Sequence, residues 1–425
     1  MSELGITADK TKESVALLIG VYRAKELKTC EEHLEELADL ADTFGIQVGG
    51  RISCPIRKID AATYLGEGKL REIKERIDEF GVSIVIFDEE ISPAQQRNLE
   101  KLLKVAVMDR TELILEIFAG RAQTKEAKLQ IELAQTKYEF PRLKRLWSHF
   151  SRQRASGGYL KGEGEKQIEI DRRLLSLKIE KLQSELKQVE KSREIQKQAR
   201  QRSEIPTFAL IGYTNAGKST LLNALTQANV FVEDKLFATL DPTTRKFTLP
   251  NNQEVLLTDT VGFIRKLPHT LVAAFKSTLE SALHDDVLLH VVDASHKNAL
   301  EHSKATYEIL KELKSENQPI ITVLNKSDRC NIETLNHLRI LYPKTVVISA
   351  IGGEGLDDLL HLMLMELEKR RKMVKLRIPQ EKYGLVSELR RKGHVHYEEY
   401  EGNDVILKVE VPLVFLHRVE QYRLK

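Results

Sequence analysis

Residues Glu204 to Leu225 read "EIPTFALIGYTNAGKSTLLNAL", and Gly212–Ser219 within them fit G-x-x-x-x-G-K-[ST]. The apolar run TFALIG precedes the glycines, and STLLNAL follows with helical character. Strand, glycine loop and helix are therefore expected in that order, which is the context a phosphate-binding loop needs. Glycines let main-chain N–H groups turn inward around a phosphate. The Lys218 ammonium neutralises its charge, the Ser219 hydroxyl is placed to bind Mg²⁺, and the helix N-terminus adds its dipole. Beyond this stretch, EVLLTDTVG, DVLLHVVDAS, PIITVLNKSD and TVVISA alternate with helical segments as far as Arg371. That alternation predicts a mostly parallel sheet flanked by helices.

Three further motifs sit at the ends of these apolar runs. NKSD (Asn325, Lys326, Ser327, Asp328) suits a guanine base. Guanine differs from adenine by its N1–H and exocyclic N2 donors, and Asp328 can accept both. Asn325 is expected on the O6/N7 edge and the Lys326 stem over the ring. ISA places the Ala350 N–H toward O6, flanked by Ser349 and Ile351. DTVG (Asp259, Thr260, Val261, Gly262) places Asp259 on Mg²⁺ through water and the Gly262 N–H on the γ-phosphate. The expected ligand is GTP or GDP. FATLDPTTR offers Thr239, Thr243 and Thr244 as the switch hydroxyl that reaches Mg²⁺ in a GTP-bound state. Residue composition does not choose among them. Phe263 follows Gly262, where a GTPase often carries a glutamine that orients the attacking water. Phosphoryl transfer rests on positioning and charge neutralisation, so slow intrinsic hydrolysis, raised by a partner, is expected.

The whole chain has 425 residues, 41% hydrophobic and 30% charged, and is long enough for two to four domains. No run approaches the ~18 apolar residues of a membrane span. Its N-terminus, MSELGITADKTKESV, lacks the basic and apolar regions of a signal peptide. Cys30, Cys54 and Cys330 lie far apart, which argues against a disulfide framework or metal cluster. A cytoplasmic setting is expected. The net charge of +3 hides an asymmetry: Ala122–Glu204 carries 20 Lys/Arg against 12 Asp/Glu, a balance of +8, and the remainder is −5. A polyanionic partner for the basic segment follows from it.

Four domains are expected: 1–120, an α/β domain; 121–204, a basic helical hairpin; 205–372, the nucleotide domain; and 373–425, a small α+β domain. In the first, VALLIGV and SIVIFDEEI are expected strands. CEEHLEELADLADTFG is an amphipathic helix stopped at Gly45, and Ser92 and Pro93 open another. Gly66 and Gly68 form a glycine turn before a helix. Residues 111–140 and 166–202 read as the two helices of the hairpin. Ile168, Leu175, Ile179, Leu182, Leu186 and Val189 follow a heptad spacing that Arg172 breaks. They suit an antiparallel hairpin core and a monomer rather than a dimer seam. Between the helices, Pro141–Gln167 holds seven Lys/Arg, four glycines, Trp147, Phe150 and Tyr159 without regular period. Those residue types suit RNA: cations on phosphates, aromatics on bases, glycines at close approaches. The C-terminal KLRIP, YGLVSELRRKG and HVHYEEY…DVILKVEV read as a strand, a helix and a strand pair.

GYTNAGKST, LFATLDPTTR and DTVGFI, together with TYLGEGKLREI (Thr63–Ile73), QIELAQTKYEFPRLKRLW (Gln130–Trp147) and GEGEKQIEIDRRLL (Gly162–Leu175), resemble the HflX family of bacterial GTPases. The resemblance runs over residues 15–371. It implies a Mg²⁺-dependent GTPase that binds the large (50S) ribosomal subunit and its rRNA, through residues 141–167 and the N-terminal domain. Splitting or rescue of ribosomes under stress is the implied role. An RNA-processing or subunit-assembly factor shares the same motifs. The resemblance selects Thr239 as the Mg²⁺ ligand, with Phe237, Ala238, Leu240 and Asp241 around it. It adds Gly212, Tyr213, Thr214, Asn215, Ala216, Gly217 and Thr220 as nucleotide contacts, and Lys218, Thr239 and Gly262 as the residues acting on the reaction. TNAGKS is similar to the loops of K⁺-stimulated GTPases, where Asn215 helps hold the cation. The chain departs from the family in the basic loop, where Glu163 and Lys166 replace a proline and a threonine.

Overall fold

The computed structural model describes residues 14–24, 26–143, 161–203, 205–226, 235–268, 271, 285–312, 318–342, 344–369, 371–412 and 415–424. The chain divides into two compact units. The first comprises Met1–Gln188, Lys235–Phe237 and Leu267–Phe275; the second comprises Val189–Asp234, Ala238–Lys266 and Lys276–Lys425.

The first unit is built on a parallel sheet of order β2-β1-β3-β4, formed by β1 (Val15–Tyr22), β2 (Gln47–Pro55), β3 (Ile84–Phe87) and β4 (Ala106–Asp109). Helices α1 (Leu27–Phe44), α2 (Glu67–Phe80) and α3 (Pro93–Leu103) are the crossovers. In α1, Leu34, Leu37 and Leu40 are buried, and the helix ends on Gly45 at φ 92°, a left-handed turn that suits glycine. In α3, Ser92 and Gln95 form a reciprocal capping box and Pro93 takes the first position. SIVIFDEEI yields only the four-residue β3, because the chain leaves the sheet at Asp88, whose carboxylate binds the buried Arg110 at 2.9 Å. The expected glycine turn is shorter than its motif. Gly66 is the helix cap, while Gly68 already lies inside α2.

Residues 111–140 form two helices, not one. α4 (Arg110–Arg121) ends before Ala122, and α5 (Lys125–Glu139) begins at Thr124, whose hydroxyl accepts the Ala127 N–H. α6 (Lys161–Ser203) runs antiparallel to α5: Lys178 meets Glu132 at 2.8 Å, and the Arg172 guanidinium lies 5.8 Å over the Phe140 ring. Leu182 and Leu186 are buried, and Leu175, Ile179 and Val189 are partly buried. The hairpin core is thus real, and α5 is also tied to the sheet below it.

The basic loop is smaller than its sequence boundaries. Phe140–Arg142 close α5 as a short 3-10 turn, and Lys161–Gln167 already belong to α6. Residues 144–160, with Trp147, Phe150 and Tyr159, lie outside the described residues. Arg142 must be removed from the set of candidate RNA contacts. It is buried, it donates to Asp109 at 3.3 Å and to the Ile91 carbonyl at 2.7 Å, and its guanidinium stacks 3.6 Å over the Tyr138 ring.

The second unit contains a six-stranded sheet of order β10-β9-β8-β5-β7-β6. Its strands are β5 (Thr207–Gly212), β6 (Thr243–Thr248), β7 (Glu254–Asp259), β8 (Val287–Asp293), β9 (Ile320–Asn325) and β10 (Thr345–Val347). All pair in parallel except β6 with β7. Helices α7 (Lys218–Thr226), α8 (Ala299–Glu312), α9 (Ile332–Leu341) and α10 (Leu356–Glu368) complete it. The core fills with Phe208, Leu210, Leu221, Leu257, Leu289, Val323 and their neighbours. The C-terminal residues form an antiparallel sheet of order β11-β13-β12: β11 (Arg371–Pro379), β12 (His394–Glu401) and β13 (Asp404–Pro412). With α11 (Tyr383–Lys392) it encloses a separate core of Val374, Leu376, Val386, Leu389, Leu407 and Phe415. Among the described residues no helix is long and apolar enough to cross a membrane.

Candidate nucleotide site

The loop motifs of the second unit converge at the carboxyl ends of β5, β7 and β9, where open parallel sheets bind ligands. β5 ends on Gly212 and α7 begins at Lys218, so the loop between them is short and crowded. Gly212 has φ 146°, and a Cβ there would stand 2.1 Å from the Val291 carbonyl oxygen. Gly217 has φ 90°, and a Cβ would stand 2.2 Å from the Asn325 amide nitrogen. No other residue type fits either position. Asn215 is exposed in the left-handed region at φ 60°.

Lys218 is buried. Its Nζ donates to the Gly212 and Tyr213 carbonyls at 3.2 and 2.8 Å. Burial pushes its pKa down to about 8, and the neighbouring Asp259 carboxylate opposes that shift. Burial raises the Asp259 carboxyl in turn, against the pull of Lys218 and its hydrogen bonds from Ser219 and Thr239.

Three oxygens from three elements meet beside this lysine. Ser219 Oγ, on α7, lies 2.7 Å from Thr239 Oγ1 and donates to Asp259 Oδ2 at 2.6 Å. Thr239 Oγ1 donates to the same oxygen at 3.2 Å. The other oxygen, Asp259 Oδ1, is buried with no hydrogen-bond partner among the described residues. Two hydroxyls and a carboxylate with an unsatisfied oxygen form a donor set that fits a hydrated hard divalent cation. Of the three candidate threonines, only Thr239 joins the set. Thr244, on β6, pairs instead with Thr258 at 3.2 Å.

The segment after Asp259 lies against the phosphate loop. The Thr260 hydroxyl donates to the Leu210 carbonyl at 2.7 Å. The Phe263 N–H donates to Gly212 O at 3.0 Å, and the Thr214 N–H donates to Phe263 O at 2.8 Å. A Cβ on Gly262 would stand 2.7 Å from Thr214 Cα, so only glycine permits this approach. The Phe263 side chain is 2% exposed and packs inward, as do Val261 and Ile264.

At the end of β9, Asn325 donates to the Ala216 carbonyl at 2.9 Å and accepts the Ala350 N–H at 3.0 Å. It therefore ties the phosphate loop to the ISA turn. The Ala350 N–H, expected toward the guanine O6, is directed here to the Asn325 side chain. Asp328 is exposed and accepts the Ser349 hydroxyl at 2.7 Å, which holds its carboxyl below the usual range. Lys326 adopts the left-handed region at φ 62°, and its ammonium binds Asp293 at 2.7 Å. Asp293, the last residue of β8, was missed by the motif reading. Its only signal was its place at the strand end in HVVDAS. Ser327 follows in a 3-10 turn, and Ile351 stands exposed on the rim.

Around Thr239, Ala238, Leu240 and Asp241 remain in the second unit, with Leu240 buried. The Phe237 ring packs edge-on against Phe118 within the first unit, with centroids 4.5 Å apart, and is 2% exposed.

Family models match three consecutive stretches: "GTP-binding GTPase N-terminal" over residues 31–119, "GTP-binding GTPase Middle Region" over 121–200, and "50S ribosome-binding GTPase" over 207–326. A Chlamydia pneumoniae protein named GTPase HflX is 54% identical over 405 residues, covering 94% of this chain and 86% of that protein. The GTPase HflX of Escherichia coli (strain K12) is 40% identical over 412 residues, covering 95% of each. Among solved structures, a GTP-binding protein from Sulfolobus solfataricus in complex with GDP is 29% identical, with a TM-score of 0.43. It covers 83% of this chain and 98% of that one.

Proposed function

The chain belongs to the HflX family of GTPases, and from that premise we propose that it hydrolyses Mg²⁺-bound GTP slowly when alone and faster on the large ribosomal subunit. The carrying observation is the meeting of Ser219 Oγ, Thr239 Oγ1 and Asp259 within hydrogen-bond distance beside the buried Lys218. Ser219 and Thr239 would ligate the metal directly and Asp259 through water. Mg²⁺ supplies charge neutralisation across the β- and γ-phosphates when bound. The Lys218 ammonium would neutralise charge on the same phosphates, and the Gly262 N–H is held at the loop's edge. Asp328 recognises the guanine N1–H and N2 donors, Lys326 covers the ring, and Asn325 braces the pocket.

Binding to the 50S subunit is supported by the family description of residues 207–326 and by the +8 balance of 122–204. Residues 144–160, with the rest of the basic segment and the N-terminal domain, are the proposed rRNA-facing parts. Splitting or rescue of ribosomes under stress is the role that family membership favours. Cosedimentation with purified 50S subunits at increasing KCl tests the contact. Binding should weaken steeply with salt, and deletion of 148–160 should weaken it further. Salt-insensitive binding, or binding unchanged by the deletion, would contradict an rRNA contact there.

The same site is proposed to take K⁺ beside the phosphates, through Asn215. Turnover in KCl should exceed that in NaCl, and Asn215→Ala should remove the difference. Equal rates in the two salts would refute it.

A further inference from the structure

The segment Gly262–Arg265 is tied to the phosphate loop by three hydrogen bonds. Two are main-chain, at Phe263 N and Phe263 O, in a parallel bridge to residues 212–214. The third comes from a side chain: the Tyr213 hydroxyl accepts the Arg265 N–H at 2.9 Å. Tyr213 is the second residue of the phosphate-loop motif, yet its ring does not serve the phosphates. It is 5% exposed and stacks on His302 of α8, with centroids 3.8 Å apart and planes 2° from parallel. His296 lies behind His302 at 4.4 Å. A ring held by a stack gives its hydroxyl one fixed position.

We propose that the Tyr213 hydroxyl is a positioning group for GTP hydrolysis, holding Gly262–Arg265 against the phosphate loop in the arrangement that hydrolysis uses. The contacts around it are close. Thr239 already lies on Ser219 and Asp259, and Gly262 is close enough to Thr214 to exclude a Cβ. The two main-chain bonds anchor the segment at Phe263, and the tyrosine anchors it two residues further on. Without the hydroxyl, the segment loses its anchor at Arg265, and the two main-chain bonds at Phe263 open more often. The Gly262 N–H then spends less time where charge develops on the γ-phosphate. The expected loss has the weight of one net hydrogen bond, about fivefold in rate.

The test is Tyr213→Phe in the full chain, which keeps the ring and its stack and removes the hydroxyl alone. GTP turnover, GDP affinity and amide hydrogen exchange are measured together. The proposal expects kcat to fall about fivefold, KM and GDP affinity to stay within about twofold, and exchange to quicken at 263–266. His302→Ala keeps the hydroxyl but frees the ring, and should give the same exchange signature with a smaller fall in kcat. Three results would overturn the proposal: unchanged kcat and exchange in Tyr213→Phe, a raised KM with kcat intact, or a raised kcat. It rests on the chain's GTPase activity, which the wild-type rate reports separately.

Discussion

Phe263 stands where an attacking water is often oriented by glutamine, but its side chain is packed in the interior and its N–H and C=O are both spent on the phosphate loop. The main-chain bridge to Tyr213 fixes the backbone there, with the side chain buried. Phe263→Gln should therefore leave basal turnover unraised. It should also destabilise the domain, by on the order of 1–3 kcal/mol for an unpaired buried amide. Denaturant unfolding and a GTPase assay on the same preparation read both; a faster basal rate would show that the phenylalanine restrains catalysis. His290, on the central strand β8, carries a second residue-scale consequence. It is buried, with Tyr307 and Tyr342 packed at right angles to its ring, its Nδ1 has no partner among the described residues, and burial lowers its pKa to about 3. The unfolded chain binds a proton near pH 6.5 that the folded one refuses, so stability falls as pH drops below 6.5. About 2 kcal/mol should be lost between pH 7 and pH 5. Midpoints at the two pH values check this, and His290→Phe should lose less over the same interval.

At the scale of elements, Arg142 is the clearest case of a residue whose role composition could not give. In sequence it belongs to a basic run; in the fold it closes a buried network. Asp109 caps α4 and accepts Tyr138 Oη at 2.9 Å, while Gln96 accepts from Arg142 at 3.2 Å. Burial and the nearby Glu112 push the Asp109 carboxyl up to about 6. Arg142→Ala should destabilise the first unit by about 3–5 kcal/mol, the cost of stranding a buried charge, as read by thermal unfolding. A loss below 1 kcal/mol would mean that the network relaxes around the gap. The phosphate loop, DTVG and NKSD were legible because backbone geometry demands those residues: Gly212 and Gly217 admit no Cβ. Helices α1 and α3 were legible from their caps. β2 was not, because QVGGRISCP, an edge strand with two glycines and a polar face, has neither the apolar run nor the clean alternation of a strand. The break between α4 and α5 was also hidden, since helical periodicity continues on both sides of Thr124. The Ala350–Asn325 bond was not legible either, because a motif names residues, while hydrogen-bond partners are set by how β9 and the ISA turn meet.

In the whole molecule, the basic hairpin lies mostly in the first compact unit and the proposed GTP site in the second. The hairpin carries the positive balance and the nucleotide domain carries the chemistry, so the polyanion bound by one is proposed to set the rate of the other. The most direct measurement is the steady-state GTPase rate of the full chain with and without purified 50S subunits, beside a variant lacking residues 148–160. The account predicts a low rate alone, well under the ~1–100 per second typical of kinases. It predicts a marked rise with 50S, and loss of most of that rise on deletion. A high rate without ribosomes, or a rise that the deletion leaves intact, would contradict it.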